Sequence, residues 1–156
     1  MTRPTEILLI DDNPADTRIM QEALEGSRVA NRLHSARDGV EAMNFLRRQG
    51  EFHDAPRPDL ILLDLNMPRK GGLQVLAEIK SAPDLRGIPT VILSSSPAEA
   101  DVASAYSLQA NGYVVKPVDL DELTVVVGGI QEYWVGIAKL ANPTHAAPSP
   151  SRAPAS

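Results

Sequence analysis

Short apolar runs alternate with helix-forming segments along most of this 156-residue chain. The runs cover residues 7–10, 29–36, 60–63, 88–93 and 113–115. Because several of them are almost continuously apolar, we predict strands that are buried on both faces, as is typical of parallel sheets. Parallel strands that alternate with helices are joined by right-handed crossovers. The pattern therefore predicts an α/β fold, a doubly wound five-stranded parallel sheet with helices on both faces.

Four segments carry a helix-start signal, a capping side chain three residues before an acidic residue. They begin at Asn13, Asp38, Ser96 and Asp119. The capping oxygen accepts a hydrogen bond from an unpaired backbone N–H of the first turn, and the acidic residue complements the helix dipole. Pro14 and Pro97 are predicted at the first helical position, where a missing N–H costs nothing. A fifth helix is predicted over residues 73–81, after Gly71-Gly72.

Composition excludes several classes of protein. The formal net charge of -5 argues against a nucleic-acid partner, which would require a basic face. The chain has no cysteine, so disulfide frameworks and thiolate metal sites are excluded. No apolar run approaches the ~18–20 residues of a membrane span, and the N-terminal run is too short for a signal peptide. We therefore expect a cytoplasmic protein that does not enter a membrane.

The chain is expected to form one folded domain and a tail. Residues 4–141 contain all the strand and helix patterns and form the predicted domain. Residues 142–156 are rich in Ala, Pro and Ser and have little apolar surface to bury, so we predict a disordered tail.

Polar residues follow four of the predicted strands. Asp11-Asp12 follows the first strand, Asp64 the third, Ser94 the fourth, and Lys116 with Pro117 the fifth. Each residue alone has an ordinary explanation, such as a helix cap, a turn or a solvated charge. However, the carboxyl ends of parallel strands meet at one edge of the sheet, where such folds bind their ligands. We therefore expect these side chains to converge on one site.

This set of residues fits phosphoryl-transfer chemistry. Three close carboxylates repel one another and require a cation or raised pKa values. Magnesium prefers hard oxygen ligands and retains open positions for a phosphoryl oxygen. Asp64 would then act as a nucleophile, because carboxylates form acyl phosphates. Ser94 and Lys116 would donate to the remaining phosphoryl oxygens.

The same motifs resemble those of bacterial response-regulator receiver domains, the CheY-like fold. The matching residues are Asp11-Asp12, Asp64-Leu65-Asn66-Met67-Pro68, Ser94 and Gly112-Tyr113-Val114-Val115-Lys116-Pro117. The resemblance implies the strand order 2-1-3-4-5 and a two-component phosphorelay, in which Asp64 accepts a phosphoryl group from a histidine kinase. A conformational change would then signal to a partner protein. Such a domain is not a classical enzyme, since it catalyses only its own phosphorylation and the slow loss of the phosphoryl group.

The resemblance also implies roles for individual residues. Asp12 and Asp64 would bind Mg²⁺ through their side chains, Asp11 through water, and Asn66 through its backbone carbonyl. Ser94, Tyr113 and Pro117 would form the switch, with a cis peptide bond between Lys116 and Pro117. Gly72 corresponds to the glycine that closes the loop after the acceptor strand.

A narrower resemblance points to the small regulators paired with bacterial phytochromes. It rests on the segment 47–58, the stretch 64–71 and the ending Glu132-Tyr133-Trp134. No output domain follows in the sequence, so a single-domain regulator is expected, with a bacteriophytochrome as its kinase. The last helix is predicted over residues 119–140, longer than the sheet requires, with a kink or break at Gly128-Gly129. Its distal end would form a homodimer interface through Tyr133, Trp134, Ile137 and Leu140.

Two other functions remain open from the sequence. A phosphohydrolase with an aspartyl nucleophile could share this topology, but such enzymes place a second acid two residues later, where this chain has Asn66. A flavin-binding electron carrier is disfavoured because aromatic residues make up 4% of the chain and no phosphate-cradling loop follows the first strand.

Overall fold

Strands and helices alternate strictly along the chain in this computed structural model, which describes residues 4–25, 30–65, 67, 70–95, 98–116, 119–131 and 133. The strands are β1 (Thr5–Ile10), β2 (Asn31–Ala36), β3 (Leu60–Leu63), β4 (Thr90–Ser94) and β5 (Gly112–Val115). The helices are α1 (Pro14–Glu25), α2 (Gly39–Leu46), α3 (Gly72–Ser81), α4 (Glu99–Ser107) and α5 (Leu120–Gln131). A short 3₁₀ helix, Gly50–Phe52, lies between α2 and β3. The predicted order of elements is confirmed.

The five strands form one parallel sheet in the order β2-β1-β3-β4-β5. Ile10, the last residue of β1, pairs with Ala36 on one side and with Leu63 on the other. At the far side of the sheet, Ser94 pairs with Val115. The carboxyl ends of the strands are therefore aligned at one edge, and the predicted fold and strand order are confirmed.

Side chains alternate along the strands to fill two cores, one on each face of the sheet. In β1, Ile7 and Leu9 pack with residues of α1 and α5, whereas Leu8 and Ile10 pack on the α2–α4 side. All four are buried. Each fully buried side chain of this size contributes about 1.5–3 kcal/mol of transfer free energy, so both faces of the sheet hold it in place. This agrees with the continuously apolar runs in the sequence.

Two strands begin later than predicted. The second strand starts at Asn31 rather than at residue 29, which lies outside the described residues. The fourth strand starts at Thr90 rather than at residue 88, and it includes Ser94. Pro89 has no N–H to donate and only accepts a hydrogen bond, from the N–H of Ile61. The regular ladder therefore starts after the proline.

Three of the four predicted helix caps are confirmed by their hydrogen bonds. The Oδ1 atoms accept from backbone N–H groups: Asn13 from Ala15 at 2.9 Å, Asp38 from Glu41 at 2.8 Å and Asp119 from Asp121 at 2.8 Å. The prediction for α4 was wrong, because this helix begins at Glu99, with Ala98 at the capping position. Glu99 and Asp101 in the first turn interact favourably with the dipole of a helix whose capping residue has no side-chain oxygen. Ser96 and Pro97 lie outside the described residues.

Helix α5 runs without interruption through Gly128-Gly129, so the predicted break was wrong. Each glycine costs about 1 kcal/mol relative to alanine in a helix. Ile130 is buried in the α1–α5 core and Val126 packs against the same core, and this packing offsets the cost of the glycines. Of the predicted interface, Tyr133 is exposed, whereas Trp134, Ile137 and Leu140 lie outside the described residues.

Within the described residues, none of the helices combines the length and apolar character that a bilayer crossing requires. The predicted tail, residues 142–156, lies outside this part of the chain.

Candidate functional site

Three carboxylates meet at the carboxyl ends of β1 and β3. The N–H of Asp11 donates to the carbonyl of Ala36 at 3.0 Å, and the N–H of Asp64 donates to the carbonyl of Ile10 at 2.9 Å. These bonds continue the sheet by one residue and fix both backbones. Asp11 and Asp64 are buried and Asp12 is exposed, and a carboxylate oxygen of each lies within 4.8 Å of the others. The residues that follow the first and third strands are thus brought together.

Asp11 lies deepest in this cluster. Its Oδ1 accepts the N–H of Asn13 and its Oδ2 accepts from Lys116 Nζ, both at 2.9 Å. Burial raises the pKa of Asp11, and the hydrogen bonds from Asn13 and Lys116 offset this only in part. A raised pKa means that the charged carboxylate is short of stabilisation, so the site favours a further positive charge.

Lys116 supplies the ammonium of the site from the end of β5. Its N–H donates to the carbonyl of Ser94 at 2.7 Å, which extends the pairing of β4 and β5. Its Nζ lies 2.9 Å from Asp11 Oδ2 and 3.6 Å from Asp64 Oδ2. Burial lowers the pKa of Lys116, but the neighbouring carboxylates outweigh it and raise the pKa above its ordinary value. Lys116 is therefore a permanent cation beside Asp64.

Asp16 also belongs to the site, although the sequence pattern assigned it only to the start of α1. Its Oδ2 accepts from Lys116 Nζ at 2.7 Å, which is shorter than either other carboxylate contact of Lys116. Asp16 stands four residues after Asp12, in the first turn of a helix that begins beside the acidic pair. The spacing between Asp12 and Asp16 indicates that Asp16 lies near the acidic pair. It does not indicate that the side chain of Lys116 extends to Asp16.

Ser94 lies at the carboxyl edge of the sheet, and Tyr113 lies near the start of the neighbouring strand β5. Ser94 is the last residue of β4 and is fully buried. Tyr113 pairs with Ile92 in the neighbouring strand and packs against the core on the α2–α4 side. Two predicted residues of the site, Asn66 and Pro117, lie outside the described part of the chain. The predicted cis peptide bond before Pro117 lies outside it as well.

Gly72 brings α3 directly against the end of β3. Its N–H donates to the carbonyl of Leu65 at 3.0 Å. A Cβ atom at this position would overlap the carbonyl oxygen of Asp64 and lie 2.5 Å from the Cα of Leu65. Any residue with a side chain would push the helix away from the segment that carries Asp64, so the site requires glycine here.

The donor set fits a hard divalent cation. Carboxylate oxygens are the ligands that Mg²⁺ and Mn²⁺ prefer in proteins. Within the described residues, the site brings together one ammonium, that of Lys116, and four carboxylates, those of Asp11, Asp12, Asp16 and Asp64. The ammonium offsets only part of their negative charge. A divalent cation would compensate the remaining negative charge, and Asp11, Asp12 and Asp64 would hold it.

Comparison with known proteins gives consistent matches. Residues 7–128 match the response regulator receiver domain. Response regulator Rcp1 of Synechocystis sp. is 48% identical over 132 residues, which cover 85% of this chain and 90% of that protein. The structure of the phosphorylated cyanobacterial phytochrome response regulator RcpA is similar with a TM-score of 0.87 at 48% identity, over 90% of this chain and 100% of RcpA. The Mn²⁺-bound form of Rcp1 gives a TM-score of 0.86 at 47% identity, over 89% and 100% of the two chains.

Proposed function

Since this chain belongs to the response regulator receiver family, we propose that Asp64 accepts a phosphoryl group from the phosphohistidine of a sensor histidine kinase. The family membership makes the protein a response regulator of two-component signalling. The observation that carries the assignment of Asp64 is its position. It is a buried carboxylate within 4.8 Å of the carboxylates of Asp11 and Asp12, and it lies 3.6 Å from the ammonium of Lys116.

In the proposed transfer, a carboxylate oxygen of Asp64 forms a bond to phosphorus as the phosphorus–nitrogen bond to the kinase imidazole breaks. The electron pair of that bond stays on the imidazole nitrogen, which then takes up a proton. Lys116 pairs with one phosphoryl oxygen, and the hydroxyl of Ser94 donates to another. Hydrolysis of the acyl phosphate by water later restores Asp64, so the chain acts on itself and is not a classical enzyme.

Mg²⁺ is the cation that we propose for this site. Asp12 and Asp64 would hold it through their side chains, Asp11 through water and Asn66 through its carbonyl. When bound, Mg²⁺ neutralises charge on the carboxylates and on one phosphoryl oxygen. The comparison with known structures supports a divalent cation at this site, since the related Rcp1 has been observed with Mn²⁺.

The output of the switch is proposed to involve Ser94, Tyr113 and Pro117. Phosphorylation adds about two negative charges at Asp64, next to the buried end of β4. If Ser94 moves to donate to the phosphoryl group, the core position next to Tyr113 changes, because the two residues lie on neighbouring strands. A partner protein would read the altered surface.

The kinase partner is proposed to be a bacteriophytochrome. RcpA is described as a cyanobacterial phytochrome response regulator, and another structural relative, AtBRR, as a bacteriophytochrome response regulator. AtBRR is 39% identical, with a TM-score of 0.67, over 83% of this chain and 95% of AtBRR.

We further propose that the protein is cytoplasmic, that it forms a homodimer through the C-terminal helix and that it does not bind nucleic acid. Two exposed apolar side chains support this interface, Val125 at 74% and Tyr133 at 52% exposure.

The phosphohydrolase alternative is not favoured. The matches cover the receiver domain of response regulators, and the position two residues after Asp64 is occupied by Asn66 rather than by an acid. An amide cannot serve as the general acid that such a hydrolase requires.

Incubation with Mg²⁺ and a small phosphodonor, followed by intact-mass measurement, tests the proposal. We expect the mass to increase by one phosphoryl group, and a chelator to prevent the increase. Asp64→Asn should remove the adduct, whereas the matched control Asp84→Asn, an exposed aspartate outside the site, should retain it. An adduct that is still found in Asp64→Asn, or the absence of an adduct in the wild-type protein, would overturn the proposal.

A further inference from the structure

Lys116 is held more closely by Asp16 than by the proposed acceptor. Its Nζ lies 2.7 Å from Asp16 Oδ2 and 3.6 Å from Asp64 Oδ2. The first distance is that of a charge-assisted hydrogen bond, and the second is longer than a hydrogen bond. In this state the ammonium is directed to α1 and to Asp11 rather than to Asp64.

The first turn of α1 places Asp16 beside Lys116. Asp16 lies in the first turn of α1, and its N–H is directed to the cap residue Asn13. The side chains of Asp16 and Lys116 are 17% and 11% exposed. Since the pair is largely removed from water, its attraction is weakly screened.

We propose that Asp16 is a positioning residue that competes with the phosphoryl group for Lys116. This inference rests on the proposed function, because it concerns the lysine that would pair with the phosphoryl group. When the acyl phosphate forms, its added negative charge attracts the ammonium, and the hydrogen bond to Asp16 is exchanged for one to a phosphoryl oxygen. The cost of that exchange weakens phosphoryl binding, and Asp16 thereby sets how strongly the phosphorylated state is populated.

The affinity for fluoroberyllate, which mimics a phosphoryl group on a carboxylate, measures this competition. In the presence of Mg²⁺, Asp16→Asn should bind fluoroberyllate about five- to tenfold more tightly than the unmodified protein, because one charged hydrogen bond no longer opposes binding. Glu22→Gln, which removes one charge from the exposed face of the same helix, is the matched control and should leave the affinity unchanged. Unchanged or weaker binding by Asp16→Asn would overturn the inference.

A double-mutant cycle separates competition for Lys116 from a general loss of negative charge. If Asp16 acts through Lys116, the gain from Asp16→Asn disappears when Lys116→Met is also present. If the gain persists in that background, Asp16 acts by through-space repulsion and the inference is wrong.

The carboxyl ¹³C resonance of Asp16 provides a readout that needs no variant. It should shift when fluoroberyllate binds to the unmodified protein, since Asp16 then loses its ammonium partner. A resonance that does not move would contradict the exchange of partners. The two claims fail differently: an unmodified protein that binds no fluoroberyllate refutes the proposed function, whereas tight binding that is insensitive to Asp16→Asn refutes only the role of Asp16.

Discussion

The environment of each carboxylate in the site determines what it can do. Asp11 is buried and its pKa is raised, Asp12 is exposed, and Asp64 is buried 3.6 Å from an ammonium. A cation ligand benefits from access to water, since Mg²⁺ keeps part of its hydration shell. A nucleophile benefits from a position that is fixed by backbone hydrogen bonds, as at Asp64. The roles that we propose for these identical side chains therefore differ with their surroundings.

Gly72 leaves no room for a Cβ atom beside the backbone of Asp64 and Leu65, and its replacement tests that contact. Gly72→Ala should lower the free energy of unfolding by about 1–3 kcal/mol, the usual cost of overpacking. Gly71→Ala is the matched control, because its Cβ would lie 3.9 Å from the nearest neighbouring atom outside its own segment. That change should cost less than about 1 kcal/mol, mainly as a poorer helix cap. Urea denaturation measures both, and equal losses would contradict the contact.

Most residues of the site could be predicted from the sequence, because the ends of parallel strands can be located from apolar runs. Asp11, Asp12, Asp64, Ser94 and Lys116 all follow or end such runs, and the alignment of the strands brings them to one edge. Asp16 could not be predicted in the same way. Its contact with Lys116 depends on how a long side chain crosses from β5 to the first turn of α1, and no local pattern encodes that path.

At the scale of elements, two helices differ from what the local sequence signals predicted. A glycine pair suggests where a helix breaks and a proline-containing segment where one begins, and these signals failed at α5 and α4, respectively. In α5, buried Ile130 holds the helix against α1 despite the two glycines. Caps whose own side chains make the bond, such as Asp38, were predicted correctly because the interaction is local.

The glycines of α5 offer a test of its continuity. A Cβ atom at Gly129 would meet no atom within 4 Å, so Gly129→Ala should stabilise the protein by about 0.5–1 kcal/mol through helix propensity. Gly50 is equally open but has φ +62°, so Gly50→Ala should destabilise by about 1 kcal/mol. Thermal unfolding distinguishes the two changes. A loss of stability in Gly129→Ala would show that α5 does not continue as a regular helix through this residue.

At the scale of the whole molecule, the fold separates the proposed phosphorylation site from the proposed dimer surface. The acidic site lies at the carboxyl edge of the sheet, while the exposed apolar side chains Val125 and Tyr133 lie on or just beyond α5. Helix α5 is the next element of the chain after β5 and begins at Leu120, four residues after Lys116.

Sedimentation velocity tests that dimer surface. We expect a concentration-dependent dimer, and Tyr133→Asp should weaken it by about tenfold or more, because a charge would replace an exposed aromatic side chain at the interface. Val40→Asp is the matched control, since Val40 is an exposed apolar residue on α2. A monomer at all concentrations, both with and without fluoroberyllate, would refute the proposed dimer.

Identification of the phosphorylated residue tests the central claim most directly. Borohydride reduces an aspartyl phosphate to homoserine, and peptide mass spectrometry then locates the changed residue. After incubation with Mg²⁺ and a phosphodonor, the account predicts homoserine at position 64 and at no other aspartate. Homoserine at Asp11, Asp12 or Asp16 instead, or a phosphoryl group that resists reduction, would contradict it.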